Sequence, residues 1–490
     1  MNTGTTLSKK SMARQSSPDN QLREIPLISR SVLEKYNTTG PRYTSYPTVP
    51  EWTADFGPAA YEQAVRHTNL SGNTSPLSLY VHLPFCESRC LFCGCNVVIT
   101  RHHEASQKYL DYLYKEMEQV ARWMDTSRPV AQSHWGGGTP TFLTPEEITQ
   151  LFRFKQKLFN FSDDAEIGIE VDPRVTTDDH LVTLKELGFN RISMGVQDFD
   201  PTVQEAIHRI QPVDMTGVMI HRCRELGFES INVDLIYGLP HQQLETFQLT
   251  LKHILALSPD RIALYNYAHV PWMAPHQKHI DEASLPDGAE KFRIFQKAIE
   301  TLIEAGFVYI GMDHFAKPTD ELTLAQEDQS LHRNFMGFTT QKGCDLYGFG
   351  VSAISGLHGH YSQNQRKLTD YYQAVDKNIE PTMRGLALSE EDILHREVIN
   401  TILGHARLDY HQIEAEFKML ESFGAPFKTY FKDALEQLTP MAEDGLLRLT
   451  ETGFELTLLG RILSRNVAMP FDAYLKVKDP DKTAMFSKTV

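Results

Sequence analysis

With 490 residues, 41% of them apolar and 23% charged, the chain reads as a soluble globular protein of two or three domains. Its net charge of −15 argues against general nucleic-acid binding, which needs a basic face, and no apolar run is long enough to span a membrane. Six cysteines, four of them packed into residues 86–95, do not look like a secreted disulfide framework and point to a reducing cytoplasm.

Residues 1–30 are polar and basic, lack the apolar core of a secretory signal, and are expected to be a disordered tail. Lys9, Lys10 and Arg14, with no acid before Asp19, keep a transit peptide open as the alternative. Residues 31–70 are rich in Tyr, Pro and Thr and read as an irregular arm laid over the rest of the fold. From residue 77 strands and helices alternate. Strands are predicted over 77–84, 131–135, 165–171, 190–196, 230–237, 261–267 and 307–311, with helical periodicity in the stretches between them. Such alternation implies parallel strands with right-handed crossovers. Polar residues gather just after successive strands, at Gly136–Thr139, Glu170, Asp172, Gln197, Asp234 and His269. A barrel brings all its strand ends to one mouth, whereas an open sheet joins only those near its switch point, so a full or partial α/β barrel is predicted. Residues 312–385 are loop-rich. From about 388 the texture becomes helical with a small wing, and Ser389, followed by acids, reads as an N-cap. The boundaries drawn are an arm over 31–70, a barrel over 71–375 and a C-terminal helical domain over 376–490.

The stretch CESRCLFCGC places Cys86, Cys90, Cys93 and Cys95 on the loop after the first strand. Structural zinc prefers two separated cysteine pairs, and Cys223 and Cys344 stand alone, so no second pair exists. Three thiolates on one loop suit a single four-iron four-sulfur cluster with one iron left open for a small ligand. This spacing, on the first loop of a βα barrel, resembles the radical S-adenosylmethionine superfamily. There the open iron binds the methionine amine and carboxylate of S-adenosylmethionine, and an electron from the cluster releases a 5′-deoxyadenosyl radical. Phe92, between two ligands, matches the aromatic residue usual at that place.

Other motifs sharpen the reading. HWGGGTPTFL follows the second strand, where glycines let backbone approach a ligand and free N–H and C=O groups can hold a zwitterion. Glu170 is a carboxylate at the mouth; Gln197 and Asp234 suit ribose hydroxyls, and Arg209 suits a carboxylate. Each alone is more often a solvated or paired residue, and their shared placement at strand ends raises them. The pairs His102–His103 and His358–His360 lack the spacing of a helical zinc motif and are read as loop residues.

Taken together, YVHLPFCESRCLFCGCN, HWGGGTPT, IEVDP, MGVQDF, NVDLIYGLP, GMDHFA, LHRNFMGFTTQ and GVSAIS resemble the oxygen-independent coproporphyrinogen III oxidase family, as do PRYTSYPT in the arm and LLGRILSRNVAMPFDAYL near the C-terminus. The likeness covers about residues 35–485. It implies a partial (β/α)6 barrel of the radical S-adenosylmethionine type, with Cys86, Cys90 and Cys93 holding the cluster and two S-adenosylmethionine molecules side by side. Tyr80, Gly137, Glu170 and Ile354 match positions that contact the first of these. Phe92, Gly138, Thr139, Gln197, Arg209, Asp234 and Ala268 match positions around the second. The family turns two propionates of coproporphyrinogen III into vinyl groups with loss of two CO₂, giving protoporphyrinogen IX. The resemblance implies a cytoplasmic, monomeric enzyme that needs a reductant for the cluster and an electron acceptor.

Cys95, His82 and Glu170 are the candidates for groups beside the reaction. A thiolate on the open iron would block cofactor, so Cys95 is expected not to be a ligand. His82 is equally well read as a satisfied core histidine. Arg42, Arg174 and Arg333 are the candidate anchors for substrate carboxylates. Related haem chaperones and the radical methyltransferase that opens haem usually lack the fourth cysteine, and the chaperones also lack the long arm; this chain has both. A non-catalytic zinc or haem binder would leave the glycine turn and the strand-end polar set without purpose.

Overall fold

The computed structural model describes residues 30–70, 72–476 and 486. The expected tail lies outside them except for Arg30, as does the transit-peptide question. Six parallel strands form the frame: β1 (Leu77–Leu83), β2 (Pro129–Gly137), β3 (Asn160–Val171), β4 (Arg191–Gln197), β5 (Ser230–Tyr237) and β6 (Arg261–Asn266). Each pairs in parallel with the next, with helices in the crossovers. In β1 every residue but Tyr80 is buried. A strand covered on both faces has no reason to alternate, which is why LSLYVHL is nearly all apolar.

The sheet continues beyond this frame. After β6 it adds β7 (Val308–Gly311) and β8 (His314–Ala316), antiparallel, with β8 next to β6. A separate hairpin, β9 (His332–Asn334) and β10 (Gly337–Thr339), follows. On the other edge β11 (Asp345–Phe349) runs parallel to β1, and β12 (Ile354–Leu357), β13 (His360–Asn364) and β14 (Thr382–Ala387) complete twelve strands. The two edges do not join, so the curved sheet is a partial (β/α)6 barrel extended by antiparallel strands. Because β14 is one of its edge strands, the sheet passes the boundary drawn at 375 and ends at Ala387.

Local signals start the helices where the sequence places them. Thr144 and Glu147 form a capping box around Pro145, and Ser389 and Asp392 form another at the start of the helix Glu390–His405. The C-terminal region is mostly helical with a three-stranded wing of Arg407–Asp409, Gly453–Leu456 and Leu447–Leu449. One continuous apolar cluster runs from the barrel through Leu394, Val398 and Ile402 to Phe427, Phe431 and Phe471, so this region packs as part of the body. The arm is strapped to it. Tyr43 donates to Asp472 at 3.0 Å, the Ala473 amide donates to Tyr46, and Arg465 donates to the carbonyls of Gly40 and Pro41. At its other end Thr53 bridges to Gly385, and Trp52 stacks on Tyr361. Among the described residues no helix is long and apolar enough to cross a membrane.

Candidate active site

The cysteine loop leaves β1 through Phe85–Cys86, which pairs with Val98–Ile99, and packs Leu91 and Phe92 against Val203, Ile207, Leu239 and Tyr267. The Leu91 amide donates to the Ile207 carbonyl at 3.0 Å. Cys90 is buried, Cys86 and Cys93 are half-buried, and Cys95 is exposed; all are free thiols. Arg174 and Arg209 each direct a guanidinium N–H at the Cys90 sulfur, at 3.5 and 3.7 Å, and the Thr139 hydroxyl lies 3.4 Å from Cys86 Sγ. The Cys95 amide donates to Cys93 Sγ at 3.4 Å. Hydrogen bonding from Cys95 brings the Cys93 thiol down to about 7 despite burial, while burial pushes Cys86 up to about 11. Among the described residues no three His, Cys, Asp or Glu side chains converge on an ion-sized point. A cubane, which takes each thiolate on a different iron, does not need them to. Three cysteines, two with N–H donors aimed at sulfur and one beside the Thr139 hydroxyl, fit such a cluster, and the fourth supplies the backbone amide that donates to Cys93.

The glycine turn lies beside this loop. Gly137 has φ +114, and a Cβ there would stand 2.6 Å from the His82 ring, so only glycine fits. The expectation that its amides are free for a zwitterion is corrected. Gly137 N–H donates to Glu170 at 3.1 Å, Gly138 N–H to the Leu83 carbonyl and Thr139 N–H to the Phe85 carbonyl. These amides zip the turn to the cysteine loop, and its carbonyl oxygens are what it can offer a ligand. Burial acts to raise the Glu170 carboxyl, but His134 and the Gly137 amide bring it below its ordinary value. His82 is bound on both ring nitrogens, by the Tyr80 hydroxyl at 3.2 Å and the Asn96 carbonyl at 3.0 Å, and burial keeps it neutral. Tyr80 stacks on His134 with centroids 6.3 Å apart. Ile354 opens β12 against Gly348, the partner of Tyr80 in the neighbouring strand.

Asp172 joins the next group, accepting from Arg174 at 2.6 Å and Arg209 at 3.0 Å. Burial works to raise this carboxyl, and the two guanidiniums hold it down at about 2. Gln197 ends β4 in the left-handed region, at φ +70, with a buried Oε1 that has no partner. A strained, unsatisfied residue at a strand end is a common mark of a ligand contact. Burial pushes the Asp234 carboxyl up to about 7; Asn232 donates to it at 2.8 Å. Two residues absent from the sequence reading complete this wall. His276 bonds the Cys93 carbonyl at 2.7 Å, and Gln277 donates to the carbonyls of both Phe92 and Ala268. They return to the cysteine loop from across the barrel, and no motif marks them.

Beyond Ala268 opens a cavity of about 1120 Å³, walled by the arm (Arg42, Tyr43), the ends of β5 and β6 (Tyr237, Asn266) and Arg465 from the C-terminal region. Arg42 pairs with Asp313 and lies over the Tyr265 ring at 5.7 Å. Arg174 does not face it. Held by Asp172 two residues upstream and by Cys90, it is a support of the cysteine loop and is withdrawn as a substrate anchor.

A partial barrel with three cysteines on its first loop defines a radical S-adenosylmethionine enzyme, and residues 80–254 match the Radical SAM superfamily. Residues 388–463 match the HemN C-terminal domain. Oxygen-independent coproporphyrinogen III oxidases of Synechocystis sp. and of Escherichia coli K12 are 45% and 46% identical, over 94% and 91% of this chain and 98% and 96% of theirs. The solved coproporphyrinogen III oxidase (HemN) of Escherichia coli, described as a radical SAM enzyme, superposes with a TM-score of 0.85 at 45% identity, covering 91% of this chain and 98% of that one. The chain belongs to the oxygen-independent coproporphyrinogen III oxidase family.

Proposed function

We propose that the chain converts two propionate side chains of coproporphyrinogen III to vinyl groups without oxygen, releasing two CO₂ and giving protoporphyrinogen IX. The observation that carries this is the extent of the likeness: it spans both the cysteine-bearing barrel and the C-terminal region that, with the arm, walls the cavity. At about 1120 Å³ that cavity slightly exceeds the usual range of about 300–1,000 Å³ for ligand pockets, as a tetrapyrrole requires.

When bound, a 4Fe–4S cluster and S-adenosylmethionine supply the carbon radical that takes hydrogen from a propionate side chain. The residues have simpler tasks. Cys86, Cys90 and Cys93 would hold the cluster; Arg174, Arg209, His276 and Gln277 fix the loop that carries them. Tyr80, Gly137, Glu170 and Ile354 line the place of one S-adenosylmethionine. Gln197, Arg209 and Asp234, with Phe92, Gly138, Thr139 and Ala268, line that of the second. Thr139 and Gly138 also join the turn to the loop. His82, with both nitrogens bound, positions Asn96 and Tyr80. Cys95 remains beside Cys93 as a candidate catalytic group. The arm and C-terminal region exclude water from a radical that water and oxygen would quench. Reductant, electron acceptor, a monomeric state and a cytoplasmic location belong to the same proposal.

The test is anaerobic incubation of reconstituted protein with S-adenosylmethionine, a reductant, an acceptor and coproporphyrinogen III. Harderoporphyrinogen and then protoporphyrinogen are expected; cofactor cleavage without vinyl product overturns the assignment.

A further inference from the structure

Two buried guanidiniums stand in different company. Arg209 has Asp172. Arg333, on β9, is only 7% exposed, and its Nε and Nη1 have no hydrogen-bond partner. No carboxylate pairs with it among the described residues. Its guanidinium stands 5.0 Å from the centre of the Phe338 ring. Phe338 meets His314 edge-on at 5.5 Å, and His314 meets Tyr265 edge-on at 6.1 Å, beneath Arg42. His314 Nδ1 is likewise buried without a partner, as is Oδ1 of Asn266, which lines the cavity with Arg42.

Buried polar atoms find partners in the great majority of cases, so Arg333 and His314, which flank the same Phe338 ring, both failing to do so is informative. The charges agree. Burial first, and then Arg42, pulls Arg333 down to about 10, while burial and both arginines keep His314 neutral. An uncompensated buried cation is unfavourable, and a second cation beside it makes it worse. An anion entering from the cavity past Arg42 would relieve both.

We propose that Arg333 is a carboxylate-binding residue which, with Arg42, receives one propionate of the porphyrinogen at the inner end of the cavity. This rests on the substrate reading above and adds where one of its acids is held. A guanidinium pairs with a carboxylate through parallel N–H donors, so it fixes the ring's orientation as well as its affinity.

The test uses reconstituted holoenzyme of wild type, Arg333→Gln and Arg333→Lys, with coproporphyrinogen III and its tetramethyl ester. For the acid, Arg333→Gln is expected to raise KM about tenfold to a hundredfold, with a smaller change in kcat. Arg333→Lys should fall between. The preference of wild type for acid over ester should shrink in Arg333→Gln by the factor by which KM rose. Iron content and substrate-free cleavage of S-adenosylmethionine should not change, and the melting temperature should not fall, since an unpaired buried charge is removed. An unchanged acid-to-ester preference, or a melting temperature that drops while KM rises equally for acid and ester, assigns Arg333 to packing on Phe338 and overturns the proposal. Wild type failing to convert coproporphyrinogen III would instead refute the substrate reading, whatever Arg333 does.

Discussion

On the cysteine side of the lumen, Asp172 gathers Arg174 and Arg209, and both guanidiniums reach the Cys90 sulfur. On the opposite side Arg333 lies buried with unpartnered nitrogens, close enough to Arg42 to feel its charge. On the first wall both guanidiniums already have a carboxylate partner before anything binds, so they can hold the loop in one geometry for a cluster. The second is incomplete, and a ligand with negative charge completes it. On the proposal above, the difference separates parts that position a cofactor from parts that receive substrate.

The largest effects should come from the completed wall. Cys90→Ser, like substitutions of Cys86 or Cys93, should lower iron content and vinyl product to background, whereas Cys95→Ser should keep its iron; visible absorption and iron assay decide. Loss of iron in Cys95→Ser would make that thiol a ligand. Asp172→Asn should come next. Removing one partner of a buried ion pair is destabilising by about 3–5 kcal/mol, because two guanidiniums are left without a counter-charge. Urea unfolding should show that loss, and the same measurement on Arg333→Gln should not.

Much of this was legible in the sequence because it is local. The cysteine spacing, Gly136–Thr139 and the strand-end carboxylates Glu170 and Asp234 each announce themselves within a few residues of a strand. The pairing of Arg174 was also within reach, since Asp172 stands two places before it. What could not be read is what the fold brings from afar. His276 closes on Cys93 over 183 positions, and Arg465 meets Gly40 over 425. Side-chain pairings at such separations follow from tertiary packing and leave no periodicity in the chain. The occupied amides of the glycine turn belong here too, because pairing with Leu83 and Phe85 depends on how closely β1 and β2 approach.

A buried cation remote from both walls offers a control. Lys155 is fully buried, with Ser133 Oγ at 2.6 Å and the rings of Trp135 and Phe161 for company, and burial brings it down to about 7. The unfolded chain keeps that proton up to about pH 10.5, while the folded one releases it near 7. Between those values the unfolded state binds more protons, so this lysine makes stability rise with pH; below 7 its full burial penalty is present. Glu116 and Glu380, raised by burial to about 7 and 8, slope the opposite way over lower pH, so the difference between variant and wild type is what isolates it. Lys155→Met should be more stable than wild type at pH 6–7, by an amount on the order of a few kcal/mol that vanishes towards pH 10.5. Its KM should not change, in contrast to Arg333→Gln.

The smallest effect should come from loosening the roof. Tyr43 is 2% exposed and donates to Asp472, whose carboxyl burial already raises to about 6. Tyr43→Phe leaves Asp472 with the Tyr474 and Leu475 amides, so one buried bond is lost, worth about 1–2 kcal/mol. The arm stays attached through Arg465, Tyr46 and Trp52, and overall stability should fall only by that amount. Function should register it differently. Tyr43 also lines the cavity, so a roof that opens more often admits water to the radical. Cofactor cleaved per vinyl group formed should therefore rise, while KM for coproporphyrinogen III holds within about twofold because Arg42 and Arg333 are untouched. A rise in KM without any change in that ratio would mean that Tyr43 acts on substrate binding, and that the incomplete wall extends into the arm.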